Sequence, residues 1–398
     1  MKILVDANVP GAEACFAPLG ELLTMPGRAI DAAALQDVDA LVIRSITRLD
    51  AAMLDAAKAL GSPLKFVGTC TIGTDHVDQL ALARHDVAFA SAPGCNAEAV
   101  VDYVLASLLT LAERQGWYLA GRRVGIVGVG NVGGRLYQRL TAMGVDCLAC
   151  DPPRAEREGS KGFVALDDLI ATCDVICLHT PLVRQGAHAT YHLLGAERIA
   201  ALRPGTLLLN AGRGDCLDGQ ALHRRLSEAA DISAVLDVWE GEPNIDPALH
   251  ERVTLATPHI AGYSLDGKLR GTHRIYTALC RQLGLPARVS LDDLLPPPPV
   301  SSVMLGDALA TGLESEDVLR LCQRMVYDVR RDHDSLLRES HRLGVARGFD
   351  FCRANYPLRR EFATLMTRLE PGAEMQQEDS EKPALLLRSA GFQVAGSD

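Results

Sequence analysis

The sequence predicts an α/β protein with two doubly wound parallel sheets and a further α+β module after them. Short apolar segments alternate with helical patterns along most of the chain, and a glycine-rich turn joins one apolar segment to a helix. Four prolines at 296–299 separate the remainder. At 398 residues the chain is too long for one ordinary core, so two or three domains are expected.

The first α/β unit is predicted from three apolar segments with a helical pattern between them. Strands are expected at 1–5, 40–43 and 65–68, and a helix at 50–60. A long helix is expected at 96–113. It is apolar nearly all round, so we expect it to be buried.

A second α/β unit begins at Arg123. Its first strand, 124–127, enters the glycine-rich turn, and a helix at 131–143 leaves it. A later helix, about 262–283, could return to the first unit. Further strands are expected at 146–150, 174–178, 206–209, 232–236 and 253–255, with a helix at 218–227.

The prolines at 296–299 favour a stiff, extended linker. The chain beyond these prolines differs in composition and pattern from the part before them. It contains charge-rich helical patterns at 314–332 and a polar stretch at 374–382, which we expect to be a flexible loop. This change in composition and pattern predicts a separate α+β module.

Residues 128–133, Gly-Val-Gly-Asn-Val-Gly, match the pattern that binds dinucleotide pyrophosphates. The match follows a predicted strand and opens a predicted helix, which is the context the pattern requires. Gly128 permits the tight turn, Gly130 lets the backbone approach pyrophosphate, and Gly133 lets helix and strand pack closely. Asn131 and Val132 belong to the same expected cofactor site.

Asp151 ends the next predicted strand. A carboxylate there can accept hydrogen bonds from ribose hydroxyls and would repel a 2′-phosphate, which favours NAD over NADP. Asp151 could instead cap the Asp-Pro-Pro turn, and Arg154 and Arg157 leave some tolerance of NADP open. Thr180 could also bond the cofactor, whereas His179 is expected to be structural.

Three residues on separate segments form the set that oxidation of a 2-hydroxy acid by a nicotinamide cofactor needs. Arg213, between two glycines, presents a planar guanidinium that can hold a carboxylate. His259 follows a predicted strand and is a base that titrates near neutrality. Glu242 would hydrogen-bond the far nitrogen of that imidazole, with Glu240 as the local competitor.

Two residues near this set, Arg213 and Asp237, could have purely structural roles instead of contacts with substrate or cofactor. Arg213 could pair with Asp215 or Asp218 instead of a substrate. Asp237, at the end of another predicted strand, is expected on the nicotinamide side, but it could also be a cap.

Charge and composition exclude several classes of function. The formal net charge of −10 argues against general nucleic-acid affinity and against docking on anionic lipid. No segment is a good membrane span, and the N-terminus lacks a secretory pattern, so we expect a cytoplasmic protein. The eleven cysteines are expected to be reduced thiols. Cys147 and Cys150 face opposite sides of a predicted strand, and no metal site is expected.

In these residues the chain resembles the D-isomer-specific 2-hydroxy acid dehydrogenase family. The family's signature is Arg, Glu and His, in that order, after a central glycine-rich turn. The resemblance covers essentially the whole chain, and the tail beyond the prolines is similar to an extra dimerisation domain of one branch. Further matching segments are 1–6, 42–45, 66–69, 73–78, 92–96 and 326–331.

The resemblance implies a central Rossmann NAD-binding domain (96–261) inserted in a flavodoxin-like substrate domain (1–95 and 262–290). An α+β dimerisation domain (291–398) would then make a homodimer. The implied reaction is NAD-dependent oxidation of 4-phospho-D-erythronate to 3-hydroxy-2-oxo-4-phosphobutanoate in pyridoxal 5′-phosphate biosynthesis. The alternatives are another D-2-hydroxy acid, such as 3-phosphoglycerate, and a non-catalytic NAD-sensing scaffold similar to the C-terminal binding protein corepressors.

Site residues can be carried over by position. Gly212 departs from the family pattern, where serine or cysteine is expected before the arginine. The resemblance makes Arg213, Glu242 and His259 catalytic, assigns cofactor contacts to Asp151, Thr180, Ala211, Asp237 and Gly262, and assigns substrate contacts to Ser45, Thr71 and Tyr263.

A phosphorylated substrate also needs cations. Arg44, next to Ser45, is one candidate contact for the phosphate. Arg359 and Arg360 in the tail could reach the site of the partner subunit, or they could be a solvated surface pair.

Overall fold

The computed structural model describes residues 1–306, 313–370 and 377–395. The chain divides into two compact units, one of Met1–Ala97 with Tyr263–Pro297 and one of Glu98–Gly262 with Pro298–Asp398. The three-domain organisation derived from the sequence stays a prediction. The α/β class with parallel sheets is confirmed.

The first unit contains a parallel sheet of five strands in the order β2-β1-β3-β4-β5. This is the flavodoxin-like order, 2-1-3-4-5, that was predicted. The strands are β1 Lys2–Asp6, β2 Glu21–Met25, β3 Ala40–Ile43, β4 Phe66–Thr69 and β5 Ala88–Ala90. The helices are Ala12–Phe16, Ala51–Ala59, Gln79–Arg84, Leu265–Gln282 and Leu291–Leu294, with 3-10 turns at Ala17–Leu19, Gly27–Ala29 and Ala33–Leu35.

Side-chain caps fix where the helices of this unit begin. The carboxylate of Asp50 accepts a hydrogen bond from Met53 N, and the hydroxyl of Ser264 accepts one from Gly267 N. Each cap satisfies a backbone donor that the first turn would otherwise leave unpaired. All four residues of β3 are buried, and apolar clusters cover the sheet.

The second unit contains a parallel sheet in the order β11-β10-β9-β8-β6-β7. Phe163 forms an isolated parallel bridge with Ala149 of β7. It occupies the place of a further strand beside β7, which completes the usual Rossmann order. The strands are β6 Arg123–Val127, β7 Asp146–Cys150, β8 Val175–Leu178, β9 Leu207–Asn210, β10 Ser233–Leu236 and β11 Leu255–Ala256. The helices are Ala97–Gln115, Gly133–Ala142, Pro152–Glu158, Leu166–Thr172, Ala196–Ala200, Gly219–Glu228 and Pro247–Arg252, with a 3-10 turn at Gly214–Cys216.

The tail of the chain belongs to this second unit. Leu336 and Phe349 of the tail are buried in the same apolar cluster as Leu249 and Ala256 beside the six-stranded sheet. The tail has its own parallel sheet of β12 Ser302–Gly306, β13 Met366–Glu370 and β14 Gln393–Val394. Its helices are Ser315–Val326, Val329–Leu343, Val345–Ala354 and Gln377–Ser389, with a 3-10 turn at Phe362–Thr364.

The loop predicted at 374–382 is only partly tested. Residues 374–376 lie outside the described residues, and 377–382 begin the helix Gln377–Ser389. The loop prediction is therefore wrong for 377–382, because a polar composition is also that of an exposed helical turn.

No helix in the described part of the chain is long and apolar enough to cross a membrane. Within those same residues, no cluster of histidine, cysteine and acidic side chains could hold a metal ion. The eleven cysteines, all in the described ranges, are free thiols. Burial raises the pKa of both Cys147 and Cys150 to about 11.

Candidate active site

Three loops of the second unit leave the same edge of the six-stranded sheet. β9, β10 and β11 are parallel neighbours, with Asn210 paired to Leu236 and Leu236 paired to Ala256. Because parallel strands end on one edge, the loops that follow them lie side by side. These loops carry Arg213, Glu242 and His259, respectively.

The acid–histidine pair predicted from the sequence is formed. Glu242 Oε2 lies 2.7 Å from Nδ1 of His259, and Glu242 Oε1 accepts a hydrogen bond from Trp239 N at 2.9 Å. Burial acts to raise the pKa of Glu242, but His259 and the hydrogen bonds outweigh it and lower that pKa overall. The competitor Glu240 instead contacts His192 Nε2 at 2.6 Å. Glu242 is therefore the residue that orients the imidazole.

The Arg213 loop packs directly on the loop that carries Glu242. Asn210 ties the Arg213 loop at both ends, since it donates to Arg213 O and accepts from Gly212 N, each at 3.0 Å. A Cβ at Gly214 would lie 2.0 Å from the backbone of Trp239. Only glycine permits this close approach, which sets the arginine beside the Glu242 loop.

The acidic alternatives for Arg213 have other partners of their own. Arg184 donates to Asp215 at 2.6 Å, and Asp218 caps a helix by accepting from Ala221 N. Arg213 is half-buried, and its Nη1 donates to Gly212 O at 2.9 Å.

Asp237 holds the histidine loop. Its buried carboxylate accepts hydrogen bonds from Thr257 Oγ1, Ile260 N and Ala261 N at 2.7–2.9 Å. Its carbonyl accepts from His259 N at 2.7 Å. Burial raises the pKa of this carboxyl group, although these bonds act to lower it. Asp237 thus shapes the backbone around His259, and its predicted cofactor contact stays a prediction.

His259 itself has an unusual backbone. Its φ of 55° lies in the left-handed region, where a residue with a bulky side chain is strained. The hydrogen bonds that Asp237 accepts from this loop oppose relaxation of this strain. The imidazole is thereby fixed by its loop as well as by Glu242.

The glycine-rich turn has the shape that a dinucleotide needs. Gly128 has a φ of 84°, and a Cβ at Gly133 would lie 1.9 Å from the carbonyl of Gly128. Gly130 and Asn131 are exposed, and a Cβ at Gly130 would meet nothing within 4 Å. Val132 is the N-cap of helix Gly133–Ala142 and makes no side-chain cap. Open backbone before a helix N-terminus fits a pyrophosphate.

Two other predicted cofactor residues lie beside this turn. Asp151 accepts hydrogen bonds from Val129 N at 2.8 Å and from Arg154 N at 3.0 Å, so it caps its turn and still has free lone pairs for ribose hydroxyls. Buried Thr180 donates to Cys216 Sγ at 3.4 Å. Ala211 and Gly262 are half-buried, and their cofactor contacts stay predictions.

His179 agrees with its structural prediction. Burial lowers its pKa to about 4, so the ring is neutral. Its backbone packs 2.9 Å from the Cβ position of Gly128.

The substrate residues implied by the resemblance all lie in the first unit. Arg44 and Ser45 follow β3, Thr71 follows β4, and Tyr263 precedes the helix Leu265–Gln282. Thr71 Oγ1 donates to Gly73 O at 2.8 Å, whereas Ser45 is exposed. Their substrate contacts stay predictions.

Sequence reasoning missed Lys268. Its Nζ lies 4.6 Å from the ring centroid of Tyr263, and the Arg44 guanidinium lies 5.9 Å from the same centroid. Burial and the charge of Arg44 lower the pKa of Lys268 to about 8. In the sequence, Lys268 looks like an ordinary helix-surface residue. The one available signal was its position five residues after Tyr263.

The prediction for Arg359 and Arg360 was wrong. Both side chains are buried within their own chain. Arg359 donates to the carbonyl of Ala261 at 3.0 Å and is neither a solvated surface residue nor available to a partner subunit. Backbone carbonyls compensate the buried guanidinium, and a sequence pattern does not reveal them.

Comparisons with known proteins agree with this geometry. The model of the D-isomer specific 2-hydroxyacid dehydrogenase NAD binding domain matches residues 102–261. A domain of unknown function, DUF3410, matches residues 294–380.

Several relatives match nearly the whole chain. The erythronate-4-phosphate dehydrogenase of Chromohalobacter salexigens is 57% identical over 370 residues, which cover 93% of this chain and 94% of that one. The enzyme of the same name from Azotobacter vinelandii is 52% identical, and the alignment covers 93% and 95% of the two chains.

Solved structures share the fold over a smaller part of the chain. A Thermus thermophilus protein superposes with a TM-score of 0.60 at 27% identity, covering 72% of this chain and 99% of its own. An Entamoeba histolytica 3-phosphoglycerate dehydrogenase with bound NAD+ has a TM-score of 0.60 at 22% identity, covering 71% and 95%. The latter similarity shows the fold alone.

The glycine-rich turn, the acid–histidine pair and the matching NAD-binding domain define an NAD-dependent dehydrogenase of the 2-hydroxyacid class. The alignments with the two relatives, which cover 93% of this chain, assign it to one family within this class. The chain belongs to the erythronate-4-phosphate dehydrogenase family.

Proposed function

We propose that the chain oxidises 4-phospho-D-erythronate at C2 to 3-hydroxy-2-oxo-4-phosphobutanoate, with NAD as the oxidant, in pyridoxal 5′-phosphate biosynthesis. The observation that carries the chemistry is the 2.7 Å contact between Glu242 and His259 beside the loop of Arg213. The names of the relatives that align over 93% of the chain support the substrate.

His259 is the base of this reaction. Its Nδ1 is engaged by Glu242, so Nε2 is the nitrogen that accepts the hydroxyl proton of the substrate. As the O–H and C2–H bonds break, the C2 carbonyl would form, and NAD held at the glycine-rich turn would supply the acceptor for the hydride. The carboxylate of Glu242 stabilises the imidazolium that results.

Arg213 holds the substrate carboxylate. A guanidinium presents parallel donors that match a carboxylate, and its fixed charge polarises the C2 oxygen as the carbonyl develops. Its loop is tied by Asn210 and packed on Trp239 through Gly214, so the orientation of the side chain starts from a rigid backbone.

Arg44 and Lys268 bind the substrate phosphate. Both cations flank the ring of Tyr263, at 5.9 Å and 4.6 Å from its centroid. A dianionic phosphate between them would restore the charge that burial disfavours at Lys268. Ser45 and Thr71 add hydroxyl donors in this proposal.

For the cofactor, the open turn at Gly130 takes the pyrophosphate and Asp151 takes the ribose hydroxyls. Thr180, Ala211, Asp237 and Gly262 are proposed to complete the site from the neighbouring loops.

The active species is proposed to be a cytoplasmic homodimer formed through the tail. Free thiols suit a reducing compartment. β12 is an edge strand, and its Met304 is 57% exposed, so a second copy could pair there. Met304→Lys should give a monomer in sedimentation, whereas Leu80→Lys, at another exposed apolar residue, should not. A Met304→Lys dimer would refute this interface.

The reaction is tested by NADH absorbance after 4-phosphoerythronate is added. Turnover with this substrate should exceed turnover with 3-phosphoglycerate and with unphosphorylated erythronate. Preference for 3-phosphoglycerate would replace the substrate, and no NADH with any hydroxy acid would favour a non-catalytic scaffold.

The base is tested separately. His259→Ala should keep NADH binding and lose about 10²–10⁴-fold in kcat. Retained turnover would remove His259 from the mechanism.

A further inference from the structure

One buried arginine of the tail, the part of the chain after Pro298, contacts the loop that carries His259. Arg359 is 2% exposed. Its Nη1 donates to the carbonyl of Ala261 at 3.0 Å and lies 3.5 Å from that of Ile260. Its Nη2 donates to the carbonyl of Ala99 at 2.5 Å. One guanidinium therefore joins the tail, the histidine loop and the long helix of the second unit.

The histidine loop is held from two sides. Its N–H groups at His259, Ile260 and Ala261 all donate to Asp237, at the end of β10. The carbonyls of Ile260 and Ala261 face Arg359. Ile260 is 0% exposed and Ala261 2% exposed, so water cannot replace the arginine as their donor.

The buried charge of Arg359 is itself supported. Its guanidinium stacks 3.7 Å from the ring centroid of Tyr327, a cation–π contact that is strong where water is excluded. The carboxylates of Asp102 and Asp332 act on it electrostatically. Tyr327 donates in turn to Asp332 at 2.9 Å, so the arginine is fixed in one place.

A second residue of the tail contacts the same loop at its other end. His333 Nδ1 accepts a hydrogen bond from Ala256 N at 3.0 Å. Ala256 is the last residue of β11. The tail thus contacts the backbone both before and after His259.

We propose that the segment matched to DUF3410 positions the catalytic histidine, with Arg359 as the positioning residue that holds the carbonyls of the strained loop. This inference rests on the proposed role of His259 as the base. It assigns the tail a function within its own chain, in addition to any role in forming the proposed homodimer.

Arg359→Met keeps an unbranched apolar stem and removes the donors, and Arg359→Lys keeps the charge but not the fork. Both variants should lose about 10–100-fold in kcat. KM and the Kd for NADH should stay within about threefold, because Arg359 is not among the proposed contacts of the substrate or the cofactor. The lysine variant provides the measurement if the methionine variant does not fold. A rise in KM without a fall in kcat would overturn the proposal.

Phe362→Leu is the matched control. Phe362 is 0% exposed and lies three residues along the same tail, so this variant should lower Tm while kcat stays within about twofold. An equal loss of kcat in Phe362→Leu and Arg359→Met would reduce Arg359 to a general stabilising role and overturn the proposal.

Two further measurements separate positioning from other effects. In a His259→Ala background, Arg359→Met should cost no additional turnover, because the group that it positions is gone. The ring resonances of His259, assigned in the whole protein by their loss in His259→Ala, should shift in Arg359→Met and not in Phe362→Leu. Unchanged resonances would overturn the positioning proposal even if the substrate were a different hydroxy acid. A failed turnover assay of the unmodified chain would overturn only the proposed reaction.

Discussion

Replacing Glu242 by glutamine tests the acid–histidine pair most directly. The carboxylate uses both oxygens, one toward His259 Nδ1 at 2.7 Å and one toward Trp239 N at 2.9 Å. A glutamine has one oxygen and one amide nitrogen, so it can satisfy only one of these two partners.

Both orientations of the glutamine side chain are costly. If its oxygen stays on Trp239 N, its amide donates to His259 Nδ1 and leaves the proton on Nε2, the atom that must accept the substrate proton. If the amide flips, it faces the Trp239 N–H and leaves this donor of a buried residue unpaired, at about 1–3 kcal/mol. In either case the imidazolium loses a charge-assisted bond worth about 1.5–3 kcal/mol.

The charge-assisted bond lost in either case corresponds to about 1.5–3 kcal/mol of transition-state stabilisation, or about 10–10²-fold in kcat. The assay is steady-state NADH formation with 4-phosphoerythronate. Glu240→Gln is the matched control, because Glu240 follows the same strand but contacts His192, and its kcat should stay within about twofold. A loss below about threefold in Glu242→Gln would refute the reasoning.

Three further changes test the rest of the site. Because burial and Arg44 lower the pKa of Lys268 to about 8, its charge is present below that pH, and kcat/KM for the phosphorylated substrate should fall as the pH rises through it. Lys268→Met should remove that fall, and a fall that persists would contradict the assignment. Gly130→Ala and the control Gly306→Ala should both leave Tm unchanged, since neither Cβ meets an atom within 4 Å. Gly130→Ala should nevertheless raise the Kd for NADH at least about tenfold in a fluorescence titration, and equal affinities of the two variants would contradict the turn assignment. Gly214→Ala places a Cβ 2.0 Å from backbone and should destabilise the fold by about 1–3 kcal/mol in urea unfolding; native stability would contradict the close approach.

The central strands could be predicted from the sequence because both of their faces are buried. β3 and β8 are continuous apolar runs, and every residue in them is buried, which is the pattern of a covered parallel sheet. Sequence reasoning missed β2 and β5, the two edge strands of the first sheet. Their residues are exposed or partly buried, so they lack an apolar run.

The order of strands and loops in the sequence could predict which loops lie side by side, but not which acidic side chain contacts His259. The parallel strands brought the loops of Arg213, Glu242 and His259 to one edge, as their positions after predicted strands required. The choice between Glu242 and Glu240 depended on loop geometry, because both follow the same strand two residues apart. Side-chain direction in an irregular loop has no periodic signal.

The buried arginine was beyond sequence reasoning for a related reason. Its partners, Ala261 and Ala99, lie 98 and 260 residues away along the chain, and both are backbone carbonyls. A pair of arginines in a polar tail has the composition of a solvated surface. Only the fold shows that backbone carbonyls accept the hydrogen bonds of this buried guanidinium.

The position of the histidine loop gives a physical reason for a tail in this unit. β11 has two residues and lies at the edge of its sheet, where β10 is the one strand beside it in the part of the chain that the structure describes. So short an edge strand fixes only one side of the loop that follows it. On the open side, His333 accepts from Ala256 N and Arg359 donates to the Ala261 carbonyl. The tail therefore supplies to this edge the hydrogen-bond partners that one more strand would have supplied, and it does so on both sides of a residue whose backbone is strained.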